Sequence, residues 1–180
     1  MGKTVATNYP KDQTLEKVIE SIKKIREKQR ETDRRMGFYD NRMGEIVQAM
    51  LSPDLDLEFM PFGFSFTELS PERKILDRKR RCIAEVDVLV ENNDQIMVVE
   101  VKVTPTNKDV KNHIERIETI KAYYAAERGD KRKYYGAIGG AVFKKNVREF
   151  ALKQGLYILV PSGKAMSIIA PEGDSKPRIW

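Results

Sequence analysis

Two apolar runs, Ile83–Val90 and Ile96–Val103, follow one another across a short polar turn, and each carries charge in its interior. Asp87 interrupts the first run, and Glu100 and Lys102 interrupt the second. A strand that only packs has no use for such groups, because each costs desolvation energy unless it is paired or binds a cation. Side chains alternate along a strand. Ala84, Val86, Val88 and Val90 therefore share one face with Met97, Val99, Val101 and Val103, and this face is expected to be core. The opposite face carries Glu85, Asp87 and Leu89 beside Val98, Glu100 and Lys102. A hairpin turning on Asn93-Asp94, residues that tolerate positive φ, sets Asp87 directly across from Glu100.

Opposed residues on one face have Cβ atoms about 4.5–5.5 Å apart. Two carboxylates there repel unless something positive lies between them. A divalent cation suits the position: Mg²⁺ takes one or two carboxylates at about 2.0–2.1 Å and keeps several waters. Lys102, on the same face, is then placed to hold an attacking water or to steady charge in a transition state. The competing reading is a plain salt bridge, the usual meaning of Glu-x-Lys in a strand. The asymmetry of the hairpin, aliphatic on one face and charged on the other, favours the metal site. The inference depends on register, since a slip of one residue sends the carboxylates to opposite faces.

Asp87 followed by Glu100-Val101-Lys102 resembles the signature of the PD-(D/E)xK nuclease superfamily, the restriction-endonuclease-like fold. The resemblance spans about residues 38–160 and extends to prokaryotic members that carry an N-terminal coiled-coil segment. It implies a core of helix, three antiparallel strands, helix and strand, and it implies metal-dependent hydrolysis of phosphodiester bonds, with DNA the favoured substrate. By the same resemblance Asp87 and Glu100 hold Mg²⁺ or Mn²⁺, the Val101 carbonyl is a third ligand and Lys102 acts on the water. Glu45, in Asn41–Leu51, matches the family's first-helix Glu. Its own helical position, on the flank beside Arg42 and Ala49, suggests only a surface residue. The chain departs from the pattern at Glu85-Val86-Asp87, where the family name has Pro-Asp.

Net charge is +6, which permits an anionic partner without requiring one. Its distribution is more telling. Arg73, Lys74, Arg78, Lys79, Arg80 and Arg81 crowd the approach to the Asp87 strand, with only Glu72 and Asp77 among them. Such a cluster suits a polyanion, whose neutralised phosphates release counterions; the alternative is a solvated loop. His113, the one histidine, reads as a packing or hydrogen-bonding residue. Arg116 one turn on, with Lys108 on the first turn, leaves a phosphate contact open. The single cysteine, Cys82, excludes an internal disulfide and fits a reducing cytoplasm. No stretch approaches the roughly 20 apolar residues of a membrane span, and Met1–Val5 lacks an apolar export signal.

Residues 13–36 hold no Gly or Pro, and Leu15, Val18, Ile22 and Ile25 form a narrow apolar seam. This reads as a helical arm that pairs with a second copy as a coiled-coil dimer, or else packs along its own domain. A helix is expected over 39–51, a first strand over Phe59–Thr67, and hairpin strands over 82–91 and 95–103. A long helix, capped by Thr106 or Asn107, should run to about Arg128. Strand 134–143, helix 144–154 and strand 156–160 imply parallel pairing with a right-handed crossover, and 165–170 is expected as an edge strand. The predicted whole is an α/β domain over 37–170 with a restriction-endonuclease-like αβββαβ core and a mixed sheet flanked by helices. An arm (1–36) precedes it and a tail (171–180) follows.

Overall fold

The computed structural model describes residues 20, 24, 27, 28, 31, 54–162, 165–173 and 175–180. The chain divides into two compact units, Met1–Asn41 and Arg42–Trp180. In the first, the described residues are helical and exposed, and Lys24 pairs with Glu20 at 3.0 Å. The arm's apolar seam, the pairing expected of it, the 39–51 helix and Glu45 lie outside the described residues.

In the second unit a short helix α1 (Leu55–Glu58) and a 3₁₀ turn (Met60–Phe62) precede six strands and two further helices. These are β1 (Glu68–Leu76), β2 (Cys82–Glu91), β3 (Gln95–Lys102), α2 (Asn107–Arg128), β4 (Lys133–Gly140), α3 (Lys145–Lys153), β5 (Tyr157–Ser162) and β6 (Ala165–Ile169). The strands form one sheet in sequence order. β1, β2 and β3 run antiparallel, β3, β4 and β5 run parallel, and β6 closes the edge antiparallel to β5. The mixed sheet and the parallel β4–α3–β5 crossover are as expected, and β3–α2–β4 is a second parallel crossover. Thr106 caps α2 in a reciprocal box with Asp109, and Gly129 ends it in the left-handed conformation. No helix among the described residues is long and apolar enough to cross a membrane.

Residues 59–67 are not the first strand. Pro61 opens the 3₁₀ turn and Gly63 leaves it at φ 85, so the backbone folds into a knot of rings instead of a ladder. Phe59 meets Phe64, Phe66 and Tyr157 edge-on at 5.7–5.9 Å between centroids. The first strand begins later and takes in Pro71, Arg73 and Lys74. A proline is tolerated there because β1 is the sheet's edge.

Both faces of the sheet are covered. Val110, Ile117, Ile120 and Tyr124 of α2, with Val147 and Ala151 of α3, pack on Leu89, Ile96 and Val98. The aromatic knot and Leu55 pack on Val88, Val90, Met97, Val99 and Val101. The face that carries Leu89, Val98 and Glu100 is thus covered as well, by α2 and α3.

A second correction concerns β2 itself. Ala84 and Val86 join the α2 side, whereas Val88 and Val90 join the aromatic side, so the inward set changes parity between Val86 and Val88. β1 does the same: Leu69 packs on the aromatic side and Ile75 on the α2 side. Pairing stays in step across the change, from Pro71↔Val88 to Arg73↔Val86. Glu72, between them, has φ 47, a left-handed residue that turns the ribbon over without inserting one. Asp87 lies at this switch.

The last residues dock onto the body. Trp180 donates its backbone N–H to Tyr134 O at 3.0 Å and is buried, and Arg178 N–H reaches Gly155 O at 3.1 Å. Gly155 is required twice over: its φ is 81, and a Cβ there would lie 2.6 Å from Arg178 N.

Candidate functional site

The β2–β3 hairpin closes as the charge pattern anticipates. Val88 pairs with Val99, Leu89 with Val98, Val90 with Met97 and Glu91 with Ile96. Asn92 organises the turn, its Oδ1 accepting from Asp94 N at 2.9 Å and Gln95 N at 2.8 Å, an Asx turn. Asp87 and Glu100 are the residues just beyond the last pair. Asp87 Oδ2 accepts the Val101 N–H at 2.7 Å, which fixes the carboxylate beside the start of the Glu-x-Lys triplet. Burial, and then the charge of Glu100, push the Asp87 carboxyl above its usual range, against the pull of the Val101 N–H, Lys102 and Arg116.

Glu100 is 5% exposed and is met by two cations. Its Oε1 pairs with Lys102 Nζ at 2.7 Å, and its Oε2 accepts from Arg116 Nη1. Burial pulls Lys102 down, but the bond to Glu100 and the charges of Glu100, Asp87 and Asp109 outweigh it, and the ammonium is held above its ordinary value. Lys102 is therefore a cation at neutral pH and not a base in this arrangement. Asp87, by contrast, has no ion pair among the described residues, and its Oδ1 carries no hydrogen bond there.

The part played by Arg116 was missed in the sequence, which marked it only as a phosphate contact. The available signal was its place one turn beyond His113, on a helix that returns over β3. His113 is fully buried, with Nε2 3.1 Å from Val98 O. A carbonyl only accepts, so the proton sits on Nε2. Burial chiefly lowers the ring to about 4, and Nδ1 is buried without a partner. His113 thus has no access to a phosphate, which corrects that expectation; it ties α2 to β3 two residues before Glu100.

The basic segment is largely spoken for. Arg73 reaches Glu91 at 2.5 Å, Lys74 reaches Glu85 at 2.9 Å, Arg78 reaches Glu127 at 2.9 Å and Arg81 reaches Asp77 at 2.7 Å. Lys79 and Arg80, on the β1–β2 turn, have no acidic partner among the described residues. The fold brings Asp87, Glu100, Lys102 and Arg116 together around the middle of β2, and this turn precedes the start of that strand. Among the described residues, no group of three or more His, Cys, Asp or Glu is placed to hold a metal.

No family model and no curated protein matches the chain. It is similar to two solved structures. One is the small subunit of the heterodimeric restriction endonuclease R.BspD6I, at 17% identity and TM-score 0.31, covering 59% of this chain and 60% of that one. The other is a repair endonuclease from Pyrococcus abyssi, at 17% identity and TM-score 0.33, covering 58% of this chain and 43% of that one. The chain thus spans less than two thirds of either. Independently of them, the topology of the domain is restriction-endonuclease-like: three antiparallel strands, a helix, then a strand parallel to the third.

Proposed function

We propose that this chain is a metal-dependent nuclease that hydrolyses phosphodiester bonds, with DNA its favoured substrate. The observation that carries the reading is Asp87: a half-buried carboxylate with a spare oxygen, beside a second carboxylate and an ammonium. Two hard oxygen donors at adjoining positions suit a hydrated Mg²⁺ or Mn²⁺. Asp87 and Glu100 would hold it, with the Val101 carbonyl and Glu45 as further donors. Bound there, the cation would supply Lewis-acid stabilisation and a more acidic water. Lys102, kept protonated by its neighbours, would orient the attacking water and offset charge gathering on the phosphoryl oxygens. Lys79 and Arg80 would contact the polyanion away from the scissile bond.

A second reading, nucleic-acid binding without cleavage, is favoured by one fact: both Glu100 oxygens already carry cations. One assay separates the two. Wild type, Glu100→Ala and Lys102→Ala are offered plasmid, linear, single-stranded and branched DNA, and RNA, with Mg²⁺ or Mn²⁺. Cutting by wild type that falls at least a hundredfold in both variants supports the nuclease. Mobility shifts by all three proteins without cutting support the binding module.

A further inference from the structure

The four groups of the site are formally balanced: two carboxylates, Asp87 and Glu100, face two cations, Lys102 and Arg116. A divalent ion entering such a cluster gains little, because every attraction to a carboxylate is met by a repulsion from a fixed cation. One Glu100 oxygen must be vacated first. The two cations are not equally held. Lys102 feels Glu100, Asp87 and Asp109 together. Arg116 reaches from α2, and among the described residues Glu100 is its one ion-pair and hydrogen-bond partner. Its side chain is 27% exposed and that of Lys102 43%, so both reach solvent, and what separates them is the number of carboxylates each faces.

We propose that Arg116 is an internal counter-ion that occupies Glu100 until a divalent cation displaces it, and that the released guanidinium takes a phosphate of the bound strand. The proposal rests on the nuclease reading. It makes cation and nucleic acid cooperative, since a phosphate that captures Arg116 frees Glu100, and a cation on Glu100 frees Arg116. Guanidinium suits both partners, as its planar fork matches carboxylate and phosphate alike. His113, pinned to Val98 O one turn away, sets the helix from which the arginine reaches.

The test is Mn²⁺ affinity by calorimetry on the full chain, for wild type, Arg116→Gln, Arg116→Met and Asp87→Asn, each checked for folding by circular dichroism. Both Arg116 variants should bind Mn²⁺ about 5- to 150-fold more tightly than wild type, and Asp87→Asn should abolish binding. With Ca²⁺ as the cation, a short DNA duplex should tighten cation binding in wild type and add little in the variants. Wild-type binding that depends on Asp87 but is unchanged or weakened in both Arg116 variants overturns the role of Arg116 and leaves the metal reading standing. Absence of binding in wild type and in both Arg116 variants overturns both. Binding that appears only when Arg116 is removed supports the proposal most directly.

Discussion

Two glutamates on the α2 face of this sheet have nearly the same surroundings and support opposite readings. Glu91 is 6% exposed and Glu100 is 5% exposed. Each is met by two cations, Glu91 by Arg73 at 2.5 Å and Arg132 at 2.8 Å, Glu100 by Lys102 and Arg116. Each has an aspartate nearby. The difference lies in that aspartate. Asp130 shares Arg132 with Glu91, at 2.6 Å, and also accepts from Tyr134, so its charge is met and its carboxyl sits below the usual range despite burial. Among the described residues Asp87 receives one backbone N–H and no ion pair, and its carboxyl is driven up. A closed network is a staple. A network in which both cations sit on one carboxylate and the other makes no ion pair has capacity for a ligand.

The largest effect should come from opening the closed network. Glu91→Ala leaves two partly buried guanidiniums without their shared acceptor, and breaking a buried pair costs about 3–5 kcal/mol. The arginines retain some solvent and Asp130 keeps Arg132, so a loss of about 3 kcal/mol is expected in urea denaturation, with no rescue by divalent cations. A rescue by Mn²⁺ would erase the distinction between the two glutamates.

Next in size is a pH effect confined to the Glu100 end. Burial lowers His113 from 6.5 to about 4, so the folded chain refuses a proton that the unfolded chain accepts. Its contribution to stability is complete above pH 6.5 and fades as pH falls from there towards 4. That gap amounts to about 3 kcal/mol at most. The wild-type loss of stability between pH 7 and 4, less that of His113→Phe, measures it; equal losses would mean the ring is not held neutral.

These contrasts also mark how far the sequence could be read. The hairpin was legible because Asp87 and Glu100-x-Lys102 break otherwise aliphatic runs, and alternation plus a two-residue turn leaves one sensible register. The aromatic segment was misread as a strand because four phenylalanines satisfy strand propensity as well as they satisfy a ring cluster, and the outcome depended on Pro61 and Gly63. The face change at Glu72 and Asp87 has no sequence signature: a non-glycine residue at positive φ is set by tertiary packing. The partners of Glu91 and Glu100 were equally hidden, since Arg132 and Arg116 are 41 and 16 residues away in the chain.

Asp87→Asn should change stability by about 1 kcal/mol or less, and upward. The amide oxygen still accepts the Val101 N–H, while desolvation of the charge and its repulsion from Glu100 disappear. Thermal denaturation without divalent ions should show an equal or higher midpoint. Added Mn²⁺ should raise the midpoint of wild type and leave the variant unmoved. A destabilised variant would mean Asp87 is paired after all, and the comparison with Asp130 would collapse.

The smallest effect on stability belongs to the β1–β2 turn. Lys79 and Arg80 lack acidic partners among the described residues, and Arg80 already holds φ 62. Lys79→Ala and Arg80→Asn should each shift stability by less than about 0.5 kcal/mol, as exposed positions away from packing do. Their value lies in a different readout. If the turn meets phosphates, each substitution should weaken nucleic-acid binding uniformly across sequences and lower the slope of log K against log salt by about one. Lys74→Ala provides the contrast, because Lys74 is engaged with Glu85 and releases a carboxylate when removed, so a weakening there is not evidence of a phosphate contact. An unchanged salt slope in both turn variants would remove the polyanion from this turn and leave it to the Asp87–Glu100 site, where Arg116 and Lys102 stand.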